Sequence, residues 1–206
     1  MSPVEHLVSR NKELDLIHEL LRYDGSRKIV VAHGLGGMGK TQLVLTYALR
    51  QKRECSAVFC VNSKSADTLK QGYAAAIRRI YSDHPSLVHL STTFKSCDLE
   101  ESVETFKRWL SSTGNDRWLV IYDNYDAPKL PGHDNPITFD ILPFFPETHQ
   151  GAILITTRSS QLKLVDRYHS VEAEKLDNIK HSLEILLHTS GRDESQFGRQ
   201  HLATLP

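Results

Sequence analysis

A short apolar strand that runs straight into a glycine-rich turn and then into a helix leaves a chain few options. Residues 28–33 read KIVVAH and lead into Gly34-Leu35-Gly36-Gly37-Met38-Gly39-Lys40-Thr41. From Lys40 onward, Leu43, Val44, Tyr47 and Ala48 fall on one helical face. The pattern is GxxxxGK[ST], a phosphate-binding loop set between a strand and a helix. The residue types follow from the task. Glycines let the backbone wrap tightly, so that successive N–H groups point inward at phosphate oxygens. The helix beginning at Lys40 directs its positive end to the same place. Lys40 supplies a mobile cation for β- and γ-phosphates, and the Thr41 hydroxyl can meet Mg²⁺. Gly34, Gly36, Gly37, Met38, Gly39, Lys40, Thr41 and Gln42 are therefore candidate nucleotide contacts.

The rest of the chain alternates helix and strand signals around this unit. Leu14, Ile17 and Leu21 share a face of a helix starting near Asn11, and Asp24-Gly25-Ser26 reads as a turn. Strands are expected at 56–61 (SAVFCV), 117–122 (RWLVIY), 151–156 (GAILIT) and 168–172. Helices are expected at 64–82, 99–111, near 160–166, and twice more beyond residue 175. The strands are short and apolar throughout, which is the pattern of central strands covered on both faces. The expectation is an α/β, three-layer P-loop NTPase fold with a mostly parallel five-stranded sheet, followed by the beginning of a helical subdomain. Its ligand belongs beyond the carboxyl ends of the strands. Residues 127–150, with Phe139, Phe144 and Phe145, read as a loop that packs against the sheet's edge. Cys60 reads as a core thiol.

Two further strand ends carry chemistry. The strand RWLVIY runs into Asp123-Asn124-Tyr125-Asp126, a Walker B pattern in which Asp123 reaches Mg²⁺. Asn124 stands where rapid ATPases often place a second acid; it can hydrogen-bond a water but is a poor base. Asp126 is the alternative acid. Lys40, Asp123 and Asn124 are the candidates for any hydrolytic chemistry, and Thr41 and Asp123 for the metal. The strand GAILIT runs into Thr157 and Arg158. Arg158 can read a γ-phosphate with its planar donor fork, or pair with a nearby acid such as Asp166.

Composition narrows the partners. Basic and acidic residues number 25 each, and a nucleic-acid binder usually carries a basic excess. No apolar run approaches the ~20 residues of a membrane span. The three cysteines, Cys55, Cys60 and Cys97, lack CxxC spacing, which points away from disulfides and zinc and toward a reducing cytosol. Composition and charge thus point to no nucleic acid and no membrane as partners.

With these elements in order, the sequence resembles the NB-ARC nucleotide-binding domain, the switch module of NOD-like receptors, plant disease-resistance proteins and apoptotic activators within the STAND class. GLGGMGKT is similar to the family's P-loop, including Met38; YDNYD resembles its Walker B, and ITTRSS its sensor strand. The wording of these two is most like fungal members. Leu7-Val8-Ser9-Arg10 resembles the opening motif, where a hydrophobic pair and a Gly-Arg contact the adenine and ribose. That resemblance implies roles for Val8 and Arg10, with Ser9 in place of the usual glycine. Ala203-Thr204-Leu205-Pro206 resembles the start of the GLPL motif, which implies that Pro206 packs on the base. The resemblance divides the chain into an adenine-contacting segment at 1–23, a P-loop core at 24–174 and a partial helical subdomain at 175–206. It implies ADP or ATP with Mg²⁺ as cofactors, a cytoplasmic setting, self-association through the full-length receptor, and further domains beyond this core.

The function so implied is an ADP/ATP switch with slow or no hydrolysis. Asn124, where many members carry aspartate, puts fast turnover in doubt. A small P-loop kinase is the main alternative. It needs an acceptor site and usually an arginine-rich lid, and residues 159–206 offer only scattered Arg167, Arg192 and Arg199. A nucleic-acid-remodelling ATPase is a third reading, against which the charge balance weighs.

Overall fold

The computed structural model describes residues 10–87, 98–129, 135–164 and 167–173. The segment 1–9, the tail 174–206 and Asp166 lie outside the described residues. So do the expectations for Val8, Pro206 and the helical subdomain.

Five strands form one sheet: β1 (Lys28–His33), β2 (Ala57–Asn62), β3 (Trp118–Asp123), β4 (Ala152–Thr157) and β5 (His169–Glu172). Their spatial order is β2-β3-β4-β1-β5, and every pairing is parallel. Helices α1 (Asn11–Leu20) and α2 (Lys40–Gln51) cover one face. Helices α3 (Ala66–Asp83) and α4 (Leu99–Leu110) cover the other. The expected three-layer α/β sandwich with a parallel five-stranded sheet is what the chain forms.

The unbroken apolar strands have a direct structural cause. In β1, Val30 faces α1 and α2, whereas Ile29 and Val31 face the opposite core. In β3, Leu119 and Ile121 face α2, whereas Trp118, Val120 and Tyr122 face α3 and α4. Each buried aliphatic side chain contributes about 1.5–3 kcal/mol, so a polar residue on either face of a central strand is costly. Local signals set the helix starts. Ser65 and Thr68 form a reciprocal capping box at α3, and Asp98 accepts from the Glu100 and Glu101 amides at α4.

The helix expected near Asn11 starts at that residue, with Arg10 as its cap. Several other expectations are corrected. Residues 160–161 form a turn and 162–164 have no regular structure, in place of the expected helix. Cys60 is exposed because β2 is an edge strand, so one side of it lacks a neighbour. The described residues 139–146 of the loop lie over a sheet face, not at its edge. Phe145 packs on Tyr122 of β3 with ring centroids 5.4 Å apart, and the Tyr73 hydroxyl bonds both Tyr122 Oη (2.6 Å) and the Phe144 carbonyl (2.7 Å). Arg27 donates to the carbonyls of Pro146 and Thr148 and ties the loop's end to the start of β1.

Candidate nucleotide site

The strand order decides what meets what. β4 lies between β1 and β3, so the end of β4 sits between the loop after β1 and the acid that ends β3. All three carboxyl ends open on the same edge of the sheet, where open α/β folds bind ligands.

The loop 34–39 turns through left-handed conformations at Gly37 (φ 80°) and Gly39 (φ 73°), which side chains resist. A Cβ on Gly37 would meet nothing within 4 Å, so the loop is open on that side. Gly39 caps α2 without any side-chain hydrogen bond, and no acidic residue occupies the first turn, which includes Gln42. The helix therefore presents its positive end to the loop with no side-chain acceptor upon it. The Lys40 ammonium donates to the carbonyls of Gly34 (2.7 Å) and Leu35 (2.9 Å) and so lies along the loop's inner course. Partial burial lowers its pKa; Asp126 opposes that shift, Arg158 adds to it, and Asp123 opposes it. An uncapped helix start, an open glycine turn and a desolvated ammonium fit a polyphosphate.

Arg10 approaches from beneath. It is 4% exposed, and its guanidinium donates to the Met38 carbonyl at 2.5 Å and to Glu13 at 3.3 Å. Through the Met38 carbonyl Arg10 braces the loop's own backbone. The segment 1–9, on which the expected adenine and ribose contact also draws, lies outside the described residues.

Asp123 is 7% exposed and takes part in no ion pair among the described residues. Its hydrogen-bond partners are neutral donors: Thr41 Oγ1 at 3.0 and 3.1 Å, Thr156 Oγ1 at 2.6 Å and Asn124 Nδ2 at 3.1 Å. A buried carboxylate held only by hydroxyls and an amide, beside a second hard oxygen donor in Thr41, fits Mg²⁺. Among the described residues no cluster of His, Cys, Asp or Glu forms a ready-made cation cage. Phosphate oxygens and water would have to complete the coordination, as is usual for this ion.

Thr156 was missed as a site residue. Its hydroxyl gives its proton to Asp123 and accepts the Asn124 N–H at 2.9 Å. Asn124 is the one non-glycine residue with positive φ (63°) among the described residues, and this bond, with Tyr125 N–H on the Thr156 carbonyl (2.9 Å), fixes the turn. We expect Thr156→Val to cut the gain in nucleotide affinity that Mg²⁺ provides by about tenfold, while affinity in excess EDTA changes less than about twofold. Thr156→Ser should restore the wild-type ratio. An equal loss with and without Mg²⁺ would assign Thr156 to folding alone.

Arg158 points back over the loop. Its guanidinium would lie 3.6 Å from a Cβ built on Gly36, and its Nε pairs with Asp126 at 2.9 Å. The Arg158 N–H also donates to Asp126 at 2.8 Å. Asp126, the alternative acid, is therefore committed to Arg158. The structure brings Lys40, Thr41, Asp123, Asn124, Asp126 and Arg158 around one loop.

No protein-family model matches this sequence, and no curated protein matches it. Solved structures do. Cdc6p from Pyrobaculum aerophilum is similar with a TM-score of 0.56 at 13% identity, over 91% of this chain and 51% of that one. The ORC2 protein of Aeropyrum pernix, solved as ADPNP–ADP complexes, gives 0.49 at 13% identity, over 93% and 54%. The chain thus spans about half the length of these proteins. At this identity the likeness to Cdc6p is one of fold: an α/β sheet of the P-loop NTPase type.

Proposed function

We propose that this chain is the ADP/ATP-binding switch module of a NOD-like, STAND-class signalling receptor, with Mg²⁺-dependent nucleotide binding and slow turnover. The observation that carries the reading is the state of the acids near the loop. Asp123 is enclosed by donors suited to a metal ligand, Asn124 stands beside it, and Asp126 is held by Arg158. Among the described residues of this site no carboxylate is left to take a proton from an attacking water. A site that binds a polyphosphate yet lacks a base retains its ligand, and retention is what a switch requires. Bound Mg²⁺ would supply charge neutralisation between the phosphates.

Arg158 is the group placed to distinguish the two nucleotides. It spans from the end of β4 to Gly36, so a γ-phosphate on the loop would compete with Asp126 for its donors. A nucleotide shifts a conformational equilibrium only by its differential affinity for the two states. Arg158→Ala should move the ratio of ATP to ADP affinities toward one, by about three- to tenfold, with ADP affinity nearly unchanged. An unaltered ratio in parallel titrations removes the sensor role. Closed-to-open self-association would then be a property of the full-length receptor.

The reading as a whole is tested by denaturing freshly purified protein and identifying what it releases. About one equivalent of ADP per chain is expected. Protein that is purified empty and turns ATP over rapidly would favour a kinase or other hydrolytic enzyme instead.

A further inference from the structure

A second cavity lies at the opposite end of the sheet. Its volume is about 470 Å³, within the ~300–1,000 Å³ range of small-molecule sites. It is bounded by the ends of α1 and α2 and by the starts of β1, β3 and β4, at Lys28, Trp118 and Ala152. The phosphate-binding loop and Asp123 sit at the other ends of the same strands. Six residues of strand and the length of α2 separate the two places, about 18 Å.

Tyr47 points to a ligand here. The residue is 3% exposed and lines the cavity. Its hydroxyl makes no hydrogen bond to the described residues, and burial raises its pKa, so it stays a neutral donor. The one fully sealed, partnerless side-chain polar atom among the described residues is Ser63 Oγ. The Tyr47 hydroxyl is therefore not sealed, and the space it opens on is the cavity. The Tyr47 hydroxyl is thus a donor, on an otherwise buried side chain, open to whatever fills the cavity.

The charges name the ligand's class. Arg22, Arg53 and Arg117 line the cavity, are exposed, and form no ion pair among the described residues. Of the other lining charges, Lys28 pairs with Asp24 at 2.5 Å, while Glu54 and Asp116, which accepts from the neutral Tyr23 hydroxyl at 2.8 Å, form no ion pair among the described residues, so three arginines face two acids. Leu21, Ala152 and the Tyr47 ring, all on the α1/α2 face of the sheet, provide an apolar floor. Three free guanidiniums and a phenol donor over an apolar floor match one kind of molecule.

We propose that this cavity is a second ligand site, which takes a small organic anion with a flat apolar body. The site is independent of the nucleotide reading, because it shares no residue with the loop. The probe is a fluorinated naphthoate, followed by fluorine NMR on the full chain, with the matching neutral naphthyl alcohol as control. The naphthoate should bind saturably at one site, and the alcohol about tenfold more weakly. Arg53→Ala/Arg117→Ala should weaken the naphthoate about tenfold or more, and Tyr47→Phe severalfold. Both arginines are exposed, so the double variant should keep the wild-type circular dichroism. Excess ADP should displace nothing. The proposal is overturned by non-saturable binding, by equal affinity for acid and alcohol, by an unaffected arginine double variant, or by displacement with ADP.

Discussion

Lys40→Ala should lower the affinity for both ADP and ATP by about 100-fold or more, while the melting temperature moves by no more than about 2 °C. The asymmetry comes from the two jobs of the side chain. In the protein alone the ammonium donates to the carbonyls of Gly34 and Leu35 on a partly exposed loop. Water replaces those bonds at little cost once the side chain is gone. Against a polyphosphate the same ammonium is a desolvated charge facing several negative oxygens, and nothing else on the loop substitutes for it. Arg10 lies nearby but is fixed to the Met38 carbonyl and Glu13 from below. Anisotropy titrations with a fluorescent ATP analogue, alongside thermal melts, read both quantities. Retained affinity would mean that the loop's amides alone hold the phosphates. A large drop in melting temperature would mean that Lys40 is a structural strut.

Gly151→Ala should be the most damaging small substitution among the described residues away from the nucleotide site. Gly151 has φ 81° and precedes β4, and its carbonyl accepts the Lys28 N–H at 3.0 Å, which starts the β1–β4 pairing. A Cβ there would fall 2.2 Å from Trp118 Cε2. The indole cannot withdraw freely, since Trp118 is fully buried and its Nε1 donates to the Leu110 carbonyl at 2.9 Å. Either that bond breaks or the start of β4 moves, and the left-handed backbone adds its own strain. The expected cost is about 3–5 kcal/mol, a large part of the ~5–15 kcal/mol that holds a domain together. The variant should melt about 10 °C lower or fail to accumulate as soluble protein. A wild-type melt would show that Trp118 has room that its contacts do not reveal.

What was legible in the sequence follows from how local each signal is. The strands announced themselves because both faces of the sheet are covered, and residues such as Val30 and Val31 must both be apolar. The glycine loop was legible because the backbone it needs excludes most side chains. The strand order was not legible, and several misreadings stem from that. Cys60 lies in a strand as apolar as its neighbours, yet β2 is an edge, and the thiol is exposed. Thr156 and Thr157 were visible as hydroxyls ending an apolar run. Only the insertion of β4 between β1 and β3 places the first of them on Asp123. The expected helix near residue 160 is a turn at 160–161, after which Leu162 enters the core without a helix around it. The cavity around Tyr47 joins residues from five separate segments, and no pattern within any one of them marks it.

These features make one physical account. A parallel sheet brings three strand ends together, and α2 carries an uncapped helix start to the same edge. A buried carboxylate whose hydrogen-bond donors are all neutral lies there, and Arg158 bridges from β4 to the loop. Each part is suited to a nucleoside polyphosphate with its metal. Isothermal titration calorimetry of the full chain in Mg²⁺ buffer, with ADP and with ATP, puts that to the test. The account predicts saturable heat from both nucleotides at about one per chain once any co-purified nucleotide is removed. Folded, nucleotide-free protein that yields no heat with either one would contradict it.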